Sequence, residues 1–295
     1  MKRLAISLVS IALTTTVLGA LDTGTVERVT GWKGSWNEKE GVFKVSQPRT
    51  DVKVTVDGSP MPPFMGLTPW AAFTETPDGN VMVMGDLVLF QDEVNPVMSA
   101  ALNSGLAVTA LHNHFFYDEP KVYFMHIGGE GSASNLAVGV RRCFDTVKEV
   151  RAADPTPATR FGPSIPATNS ITAKNIEQIL AVKGQSKDGM FKAVIGRKTK
   201  MPCGCEVGKE MGVNTWAAFA GADDNAVVDG DFAVQEDELQ PVLKTLRAAD
   251  INIVAIHQHM THETPRILFL HYWGRGQAEL LAKSIKAALQ TQERP

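Results

Sequence analysis

The chain has 295 residues, of which 44% are hydrophobic and 21% are charged, and its formal net charge is −3. This composition is typical of a globular protein with enough apolar material for more than one core, and it excludes an intrinsically disordered chain. A slightly acidic chain offers no basic surface for a polyanion, so nucleic acid is not an expected partner.

Residues 1–20 have the pattern of a secretory signal peptide. Two basic residues follow Met1, residues 4–18 are mostly apolar, and Gly19 and Ala20 are small residues at a cleavage point. The apolar stretch is too short for a spanning helix, and a retained membrane anchor is the alternative interpretation. We therefore expect an exported protein, periplasmic or extracellular, with no stable membrane span after signal removal.

The remainder of the chain is an internal duplication. Because the matching segments continue over most of each half, we predict a first repeat unit over residues 21–150, a Pro-rich linker over 151–171 and a second repeat unit over 172–295. The matching segments include WAAF at residues 70–73 and 216–219, and GDLVLFQDEVNPVM at 85–98 with GDFAVQEDELQPVL at 230–243.

Hydrophobic periodicity predicts the elements of each unit. A helix is expected from near Asp92 to Gly105 and another over residues 132–147, and Trp70 and Trp216 are expected to be core residues. The order strand, strand, helix, strand, strand, helix predicts an α+β fold, in which each unit is an antiparallel sheet with helices packed on one face. The most clearly predicted strands of the first unit cover residues 81–90, 106–114 and 121–127.

All seven histidines fall inside two matching segments, LHNHFFYDEPKVYFMH and IHQHMTHETPRILFLH. Imidazole is the commonest protein ligand for transition metals and titrates nearest to neutral pH, so the doubled pattern indicates metal binding or acid/base chemistry. The first segment carries His112, His114 and His126, and the second carries His257, His259 and His271 at an offset of 145 residues, together with His262.

Two imidazoles and one carboxylate can hold a divalent transition metal with an open coordination position, and zinc is the preferred identity. His126, His262 and His271 are candidate ligands or general acid/base groups. The predicted metal ligands are His112, His114 and Glu119 in the first unit and His257, His259 and Glu263 in the second.

The position of His126 leaves two arrangements open. A simple hairpin would place it roughly 15 Å from His114, as the strand rise requires. A bulge or a longer turn would bring it closer, or it could face a site made with the other unit.

The other duplicated acidic residues are interpreted structurally. Asp86 and Asp231 each follow a glycine and are assigned to turns, whereas Glu93 and Glu238 are assigned to helix N-termini, where a negative charge is favourable.

The repeated WAAF, GDLVLFQDEVNPVM, ALHNHFFYDEP and IHQHMTHETPRILFLHYWG segments resemble the LppY/LpqO family of exported bacterial proteins, which carries a domain of unknown function. The resemblance covers nearly the whole chain after the signal peptide. It implies export and a duplicated architecture, but no established reaction, cofactor or substrate. Some members are lipoproteins, and this chain departs from them because no Cys follows its apolar stretch.

Three functions are compatible with these observations. The first is a metal-dependent hydrolase or related metalloenzyme, and the second is a periplasmic module that binds a metal or a small ligand without turnover. The third is a metal-free interaction protein of the cell envelope. The expected partner is thus a small molecule or metal ion, and the oligomeric state and the number of sites stay open.

Overall fold

The computed structural model describes residues 21–292, so the predicted signal peptide lies outside the described residues. The first unit contains α1 (Thr23–Thr30), β1 (Gly34–Asn37), β2 (Val42–Ser46), β3 (Thr55–Val56), β4 (Ser59–Pro60), β5 (Trp70–Glu75), β6 (Val81–Phe90), α2 (Gln91–Asn103), β7 (Ala107–His112), β8 (Asp118–Glu119), β9 (Val122–Gly131) and α3 (Ala133–Ala153). The second contains α4 (Ala173–Leu180), β10 (Gly184–Lys187), β11 (Met190–Gly196), β12 (Thr199–Lys200), β13 (Glu206–Val207), β14 (Asn214–Ala222), β15 (Asn225–Gln235), α5 (Leu239–Ala248), β16 (Asn252–His257), β17 (Ile267–Gly276) and α6 (Ala278–Gln290).

The two units share one antiparallel sheet of twelve strands. Its order is β1-β2-β5-β6-β9-β7-β16-β17-β15-β14-β11-β10, so the second unit repeats the order of the first in reverse. Leu111 in β7 pairs with Ile256 in β16 and joins the two units at the centre. The predicted α+β class and the duplication are confirmed.

The two faces of the sheet have different roles. Val83 and Leu87 in β6 point into the main core, which also contains buried side chains of all six described α-helices. Val88 and Phe90 point to the opposite face and pack beneath the short strands of the first unit. Because successive strand residues alternate between faces, Asp86 lies on this second face, which we call the open face.

Side-chain amides hold the central strands together where the sheet ladder is short. Asn95 in α2 donates from Nδ2 to the carbonyl of Ile253 (3.2 Å), and the Ile253 N–H donates to Asn95 Oδ1 (2.7 Å). Gln240 in α5 makes the same pair of bonds with Val108, at 2.8 and 3.0 Å. Each unit therefore completes the hydrogen bonding of a bulged strand in the other.

The element boundaries follow the predicted ones closely in the centre of each unit. Helix α3 continues to Ala153, into the predicted linker, and α1, β1 and β2 had no counterpart in the prediction. Within the described residues, no helix is both long enough and apolar enough to cross a lipid bilayer.

Candidate functional site

Each unit places an acidic residue and three histidines at one position on the open face. Asp86 in β6 is directly opposite His126 in β9, and His126 is opposite Ala110 in β7. Asp231 in β15 is likewise opposite His271 in β17. Directly opposed residues project from the same face, so each carboxylate faces an imidazole of the neighbouring strand.

A bulge and a long loop bring the separated histidines together. The pairing of β7 with β9 shifts register between Val108 and Ala110, and His112 is then opposite Phe124. The chain between His112 and β9 forms a loop that includes β8, instead of a tight hairpin. His126 is therefore only two residues from the partner of His112, which removes the distance expected for a simple hairpin.

The second unit brings three ligand atoms to one point. His257 Nε2 lies 3.1 Å from His259 Nε2, and His259 Nε2 lies 3.3 Å from Asp231 Oδ2. One ligand atom from each of these residues lies within 4.8 Å of the others, and in the described part of the chain this is the one such group that could hold a metal ion. The ring of His271 stacks on that of His257, with centroids 4.9 Å apart.

Backbone carbonyls orient two of these imidazoles. His259 Nδ1 lies 3.2 Å from the carbonyl of Gly212, and His271 Nδ1 lies 3.2 Å from the carbonyl of Gly230. A carbonyl oxygen can only accept, so the neutral His259 ring carries its proton on Nδ1, which faces the carbonyl, and presents a lone pair at Nε2. That lone pair faces the Asp231 carboxylate, which is unfavourable unless a proton or another cation lies between them.

Two further polar atoms of this group are buried. Asp231 Oδ1 and His257 Nδ1, which are not the atoms in contact with His259, have no hydrogen-bond partner in the protein. Burial lowers the pKa of His257, although the charge of Asp231 opposes the shift. Buried polar atoms without a partner lose their bonds to water, so burying this group is costly.

The first unit arranges the same residue types differently. His126 Nε2 lies 3.0 Å from His112 Nε2, so the closest pair joins two strands. The stacking of His114 on Phe124, at 3.3 Å, is shared, since His259 stacks on Phe269 at 3.5 Å. Asp86 Oδ1 is buried without a partner, and burial raises the pKa of the Asp86 carboxyl despite the nearby histidines.

The two predicted carboxylate ligands lie elsewhere in their loops. Glu263 is buried, and its Oε1 accepts from the N–H of Ile267 at 3.1 Å, so the group at His257 and His259 contains Asp231 in its place. Glu119 is exposed and its backbone pairs with Thr55 in β3.

The structural counterpart of Glu263 is Asp118, because Asp118 Oδ2 accepts from the N–H of Val122 at 2.7 Å. Both carboxylates thus fix the start of the returning strand. His262 is an exposed loop residue with a positive φ of 68°, like Tyr117 at 57° in the first unit.

Comparison with protein families identifies these two units. The family described as Domain of Unknown Function (DUF1259) matches residues 24–146 and 174–291. The chain belongs to this family. Comparisons with curated proteins and with solved structures found no match. Each matched DUF1259 region contains one complete set of the open-face Asp and His residues described above.

The interpretation of Asp86 and Asp231 as turn residues was wrong, because each lies inside a long strand of its DUF1259 unit. A signal was present for Asp86, which interrupts the otherwise apolar strand pattern VMVMGDLVLF. A carboxylate at such a position is costly unless it is paired, and a histidine of the neighbouring strand lies directly opposite each aspartate.

The two tryptophans also differ from expectation. Trp70 and Trp216 are half-buried on the open face, where the ammonium groups of Lys44 and Lys192 lie 4.2 and 4.1 Å from the ring centroids. Trp216 is directly opposite Asp231. The tryptophans thus belong to the surroundings of the two candidate sites and not to the main core.

A cavity of about 630 Å³ opens beside the metal-ligand group of the second unit. Its lining includes Asp231 and His259 of the ligand group, together with Trp216, Lys192 and Lys209. We call this cavity the lysine groove. A second cavity, of about 480 Å³, is lined by His271 together with Arg160, Trp273 and Arg275.

Proposed function

We propose that the chain binds a divalent transition metal through Asp231, His257 and His259, with zinc as the best-fitting ion. The observation that carries this proposal is the convergence of two imidazole lone pairs and one carboxylate oxygen, at 3.1 and 3.3 Å. Zinc bound at about 2.0–2.1 Å in a tetrahedron separates its ligand atoms by roughly 3.3 Å. The spacing and the ligand types therefore both suit zinc.

The surroundings of this group favour a reactive centre over a purely structural one. Three protein ligands leave a fourth tetrahedral position, and Asp231 and His259 also line the lysine groove. A zinc ion held there would supply Lewis acidity for polarising a substrate oxygen. We therefore propose metal-dependent hydrolysis as the reaction class, with His271, stacked on His257, as the adjacent acid/base group.

The first unit is proposed to hold a second, weaker centre. His112 and His126 are 3.0 Å apart, and His114 and Asp86 flank them. Antiparallel pairing of Leu111 with Ile256 sets Ala110 opposite His257, so His126 and His257 lie two strands apart, about 10 Å. Two neighbouring centres on one face are thus proposed, without a bridging ligand.

A binding module without turnover is the second candidate function. The exposure of His259, whose side chain is 32% accessible, favours it, because a solvated ion exchanges readily. Both functions require the metal, so metal content is measured before any substrate is screened.

The test is elemental mass spectrometry on untagged, natively exported protein. We expect one tightly bound equivalent of zinc in the wild type and the loss of that equivalent in a His257→Ala/His259→Ala double variant. His262→Ala is the matched control, because His262 lies in the same loop, is exposed, and is not in the ligand group. The proposal fails if no metal binds after dialysis against zinc, copper, manganese, nickel and iron, or if the double variant retains the tightly bound equivalent.

We also propose that the protein is exported to the periplasm or beyond and that it groups with the LppY/LpqO proteins within its family. The pattern of residues 1–20 supports export, and the repeated WAAF and histidine segments support the grouping. N-terminal sequencing of the protein from a periplasmic extract should begin near residue 21. A chain that retains Met1 and stays in the cytoplasm would contradict export.

A further inference from the structure

The lysine groove has the size and composition of a ligand site, and it adjoins the proposed metal centre. Its volume of about 630 Å³ lies inside the range of small-molecule pockets, roughly 300–1,000 Å³. Its floor follows a cross-strand row in which Val194 is opposite Trp216 and Trp216 is opposite Asp231. Two strand spacings, about 10 Å, therefore separate the far side of the groove from the ligand group.

The charges around the groove are distributed unequally. Three lysines line it, against the carboxylates of Glu210 and Asp231. Lys183 forms an ion pair at 2.8 Å with Glu177, a residue that does not line the groove. The Asp231 carboxylate is directed at His259, at 3.3 Å. Glu210 is 87% exposed and only 3.5 Å from Lys209. A divalent cation at Asp231 would leave the groove clearly positive, so an anionic ligand is favoured there and a cationic ligand is disfavoured.

Lys192 is positioned for a ligand at the far side of the groove. Its ammonium lies 4.1 Å from the centre of the Trp216 ring. An aromatic ring attracts a cation but carries no negative charge, so Lys192 keeps its positive charge for a ligand. Lys209 approaches from the short 3₁₀ helix Lys209–Met211, and Asn214 Nδ2 donates to the Lys209 carbonyl at 2.8 Å. Two ammonium groups thus border one cavity from separate elements.

The first unit keeps only part of this arrangement. Lys44 lies over Trp70 as Lys192 lies over Trp216. The equivalent 3₁₀ helix, however, is Pro63–Met65, with Pro63 and Phe64 where the second unit has Lys209 and Glu210. The pair of ammonium groups is therefore a property of the second unit, where the metal-ligand group is also found.

We infer that the lysine groove binds the carboxylate or phosphate group of a sugar-sized anionic substrate, whose opposite end reaches the Asp231–His259 end of the groove. This inference deepens the proposed metal function and names its substrate class. Lys192 and Lys209 hold the anion, and the span of about 10 Å places the remainder of a monosaccharide-sized molecule beside the ligand group.

The test is calorimetric titration of the full, zinc-loaded chain with glucuronate, glucose 6-phosphate and neutral glucose. At least one anionic sugar should bind and glucose should not, and the anion that binds distinguishes carboxylate from phosphate recognition. Lys192→Gln and Lys209→Gln should each weaken binding about tenfold, since each removes a charge-assisted contact. Lys44→Gln, the counterpart over Trp70, is the matched control and should leave the affinity unchanged.

The inference is overturned if neither anionic sugar binds, if glucose binds equally well, or if Lys44→Gln weakens binding as much as the two groove variants. Repeating the titration with protein stripped of metal separates the two proposals. Lysine-dependent anion binding by a chain that holds no zinc would leave the groove assignment standing and remove the metal centre. Zinc binding without any anion binding would leave the metal centre standing and remove the groove assignment.

Discussion

The two halves of the molecule carry the same four residues on the open face, one aspartate and three histidines, but connect them differently. In the second unit, His259 contacts both His257 and Asp231, and the Gly212 carbonyl orients its ring. In the first unit, the closest contact joins His112 to His126. The difference teaches that a duplicated motif fixes which side chains are present, whereas the neighbouring loops decide which of them meet.

The loops next to the two sites differ in chemistry as well. The 3₁₀ helix beside the first site exposes Phe64 and Met65, whose accessible fractions are 99% and 63%. The equivalent helix of the second unit carries Lys209 and Glu210 in place of Pro63 and Phe64. The second unit thus surrounds its site with charge, and the first surrounds it with apolar surface.

The largest expected effect concerns the buried carboxylates behind the two sites. Glu93 is fully buried, accepts from both Nη atoms of Arg49 at 2.8 and 2.9 Å, and also pairs with Arg151. Burial raises the pKa of Glu93. In Glu238 burial also acts to raise the pKa, but Arg197, the Gln235 N–H and Gln292 together outweigh it, so the pKa of Glu238 is lowered. Glu93→Ala should lower the free energy of unfolding by about 3–5 kcal/mol, because it removes the fully buried carboxylate shared by Arg49 and Arg151 and leaves them only Asp51 and Asp92 as partners.

Urea unfolding of both variants measures this difference between the units. Glu238→Ala should cost less, about 1–3 kcal/mol, because Arg197 is partly solvated, with 19% of its side chain accessible. The surface pair of Arg142 and Glu149 supplies the control, and Glu149→Ala should cost below about 1 kcal/mol. Equal losses for Glu93→Ala and Glu238→Ala would show that the two ion pairs are equivalent.

The second prediction compares the two aspartates as metal ligands. Asp231→Asn should weaken zinc binding about 100-fold in a competition titration, since it removes a negative charge at the convergence point of the second site. Asp86→Asn should change the zinc affinity of the tightest site by less than about fivefold. Glu263→Gln is the control for a carboxylate that has a structural role, because Glu263 accepts a hydrogen bond from the Ile267 N–H and is not in the ligand group. An equal loss from Asp86→Asn and Asp231→Asn would mean that the two copies bind metal equally.

The smallest expected effect concerns the amides that join the units. Asn95→Ala should cost about 1–3 kcal/mol, because it leaves the buried N–H and carbonyl of Ile253 without their partner. Gln240→Ala should cost about 1 kcal/mol, since Gln240 is only partly buried. Asn113→Ala, at an exposed position, is the control and should stay within about 0.5 kcal/mol. Thermal unfolding that separates into two transitions in Asn95→Ala would show that this joint couples the units.

The sequence by itself determined the duplication, the α+β class and the central elements of each unit. These follow from local periodicity, because an apolar pattern of period two or 3.6 decides between strand and helix without reference to distant residues. It also placed His112 and His114 at the end of the strand predicted over residues 106–114, and the observed strand β7 ends at His112. Residues 81–90 were predicted as a strand with the bounds that the structure shows.

Only the tertiary structure decided which carboxylate meets the histidines and that the two sheets join. Asp231 in β15 reaches His259, which follows β16, because β15 and β16 both pair with β17, a neighbour relation between segments far apart in the sequence. Glu263, close to His259 in the chain, instead accepts a backbone N–H. Strand order and register are set by packing and by loop geometry over the whole unit, so spacing along the chain could not reveal the contact.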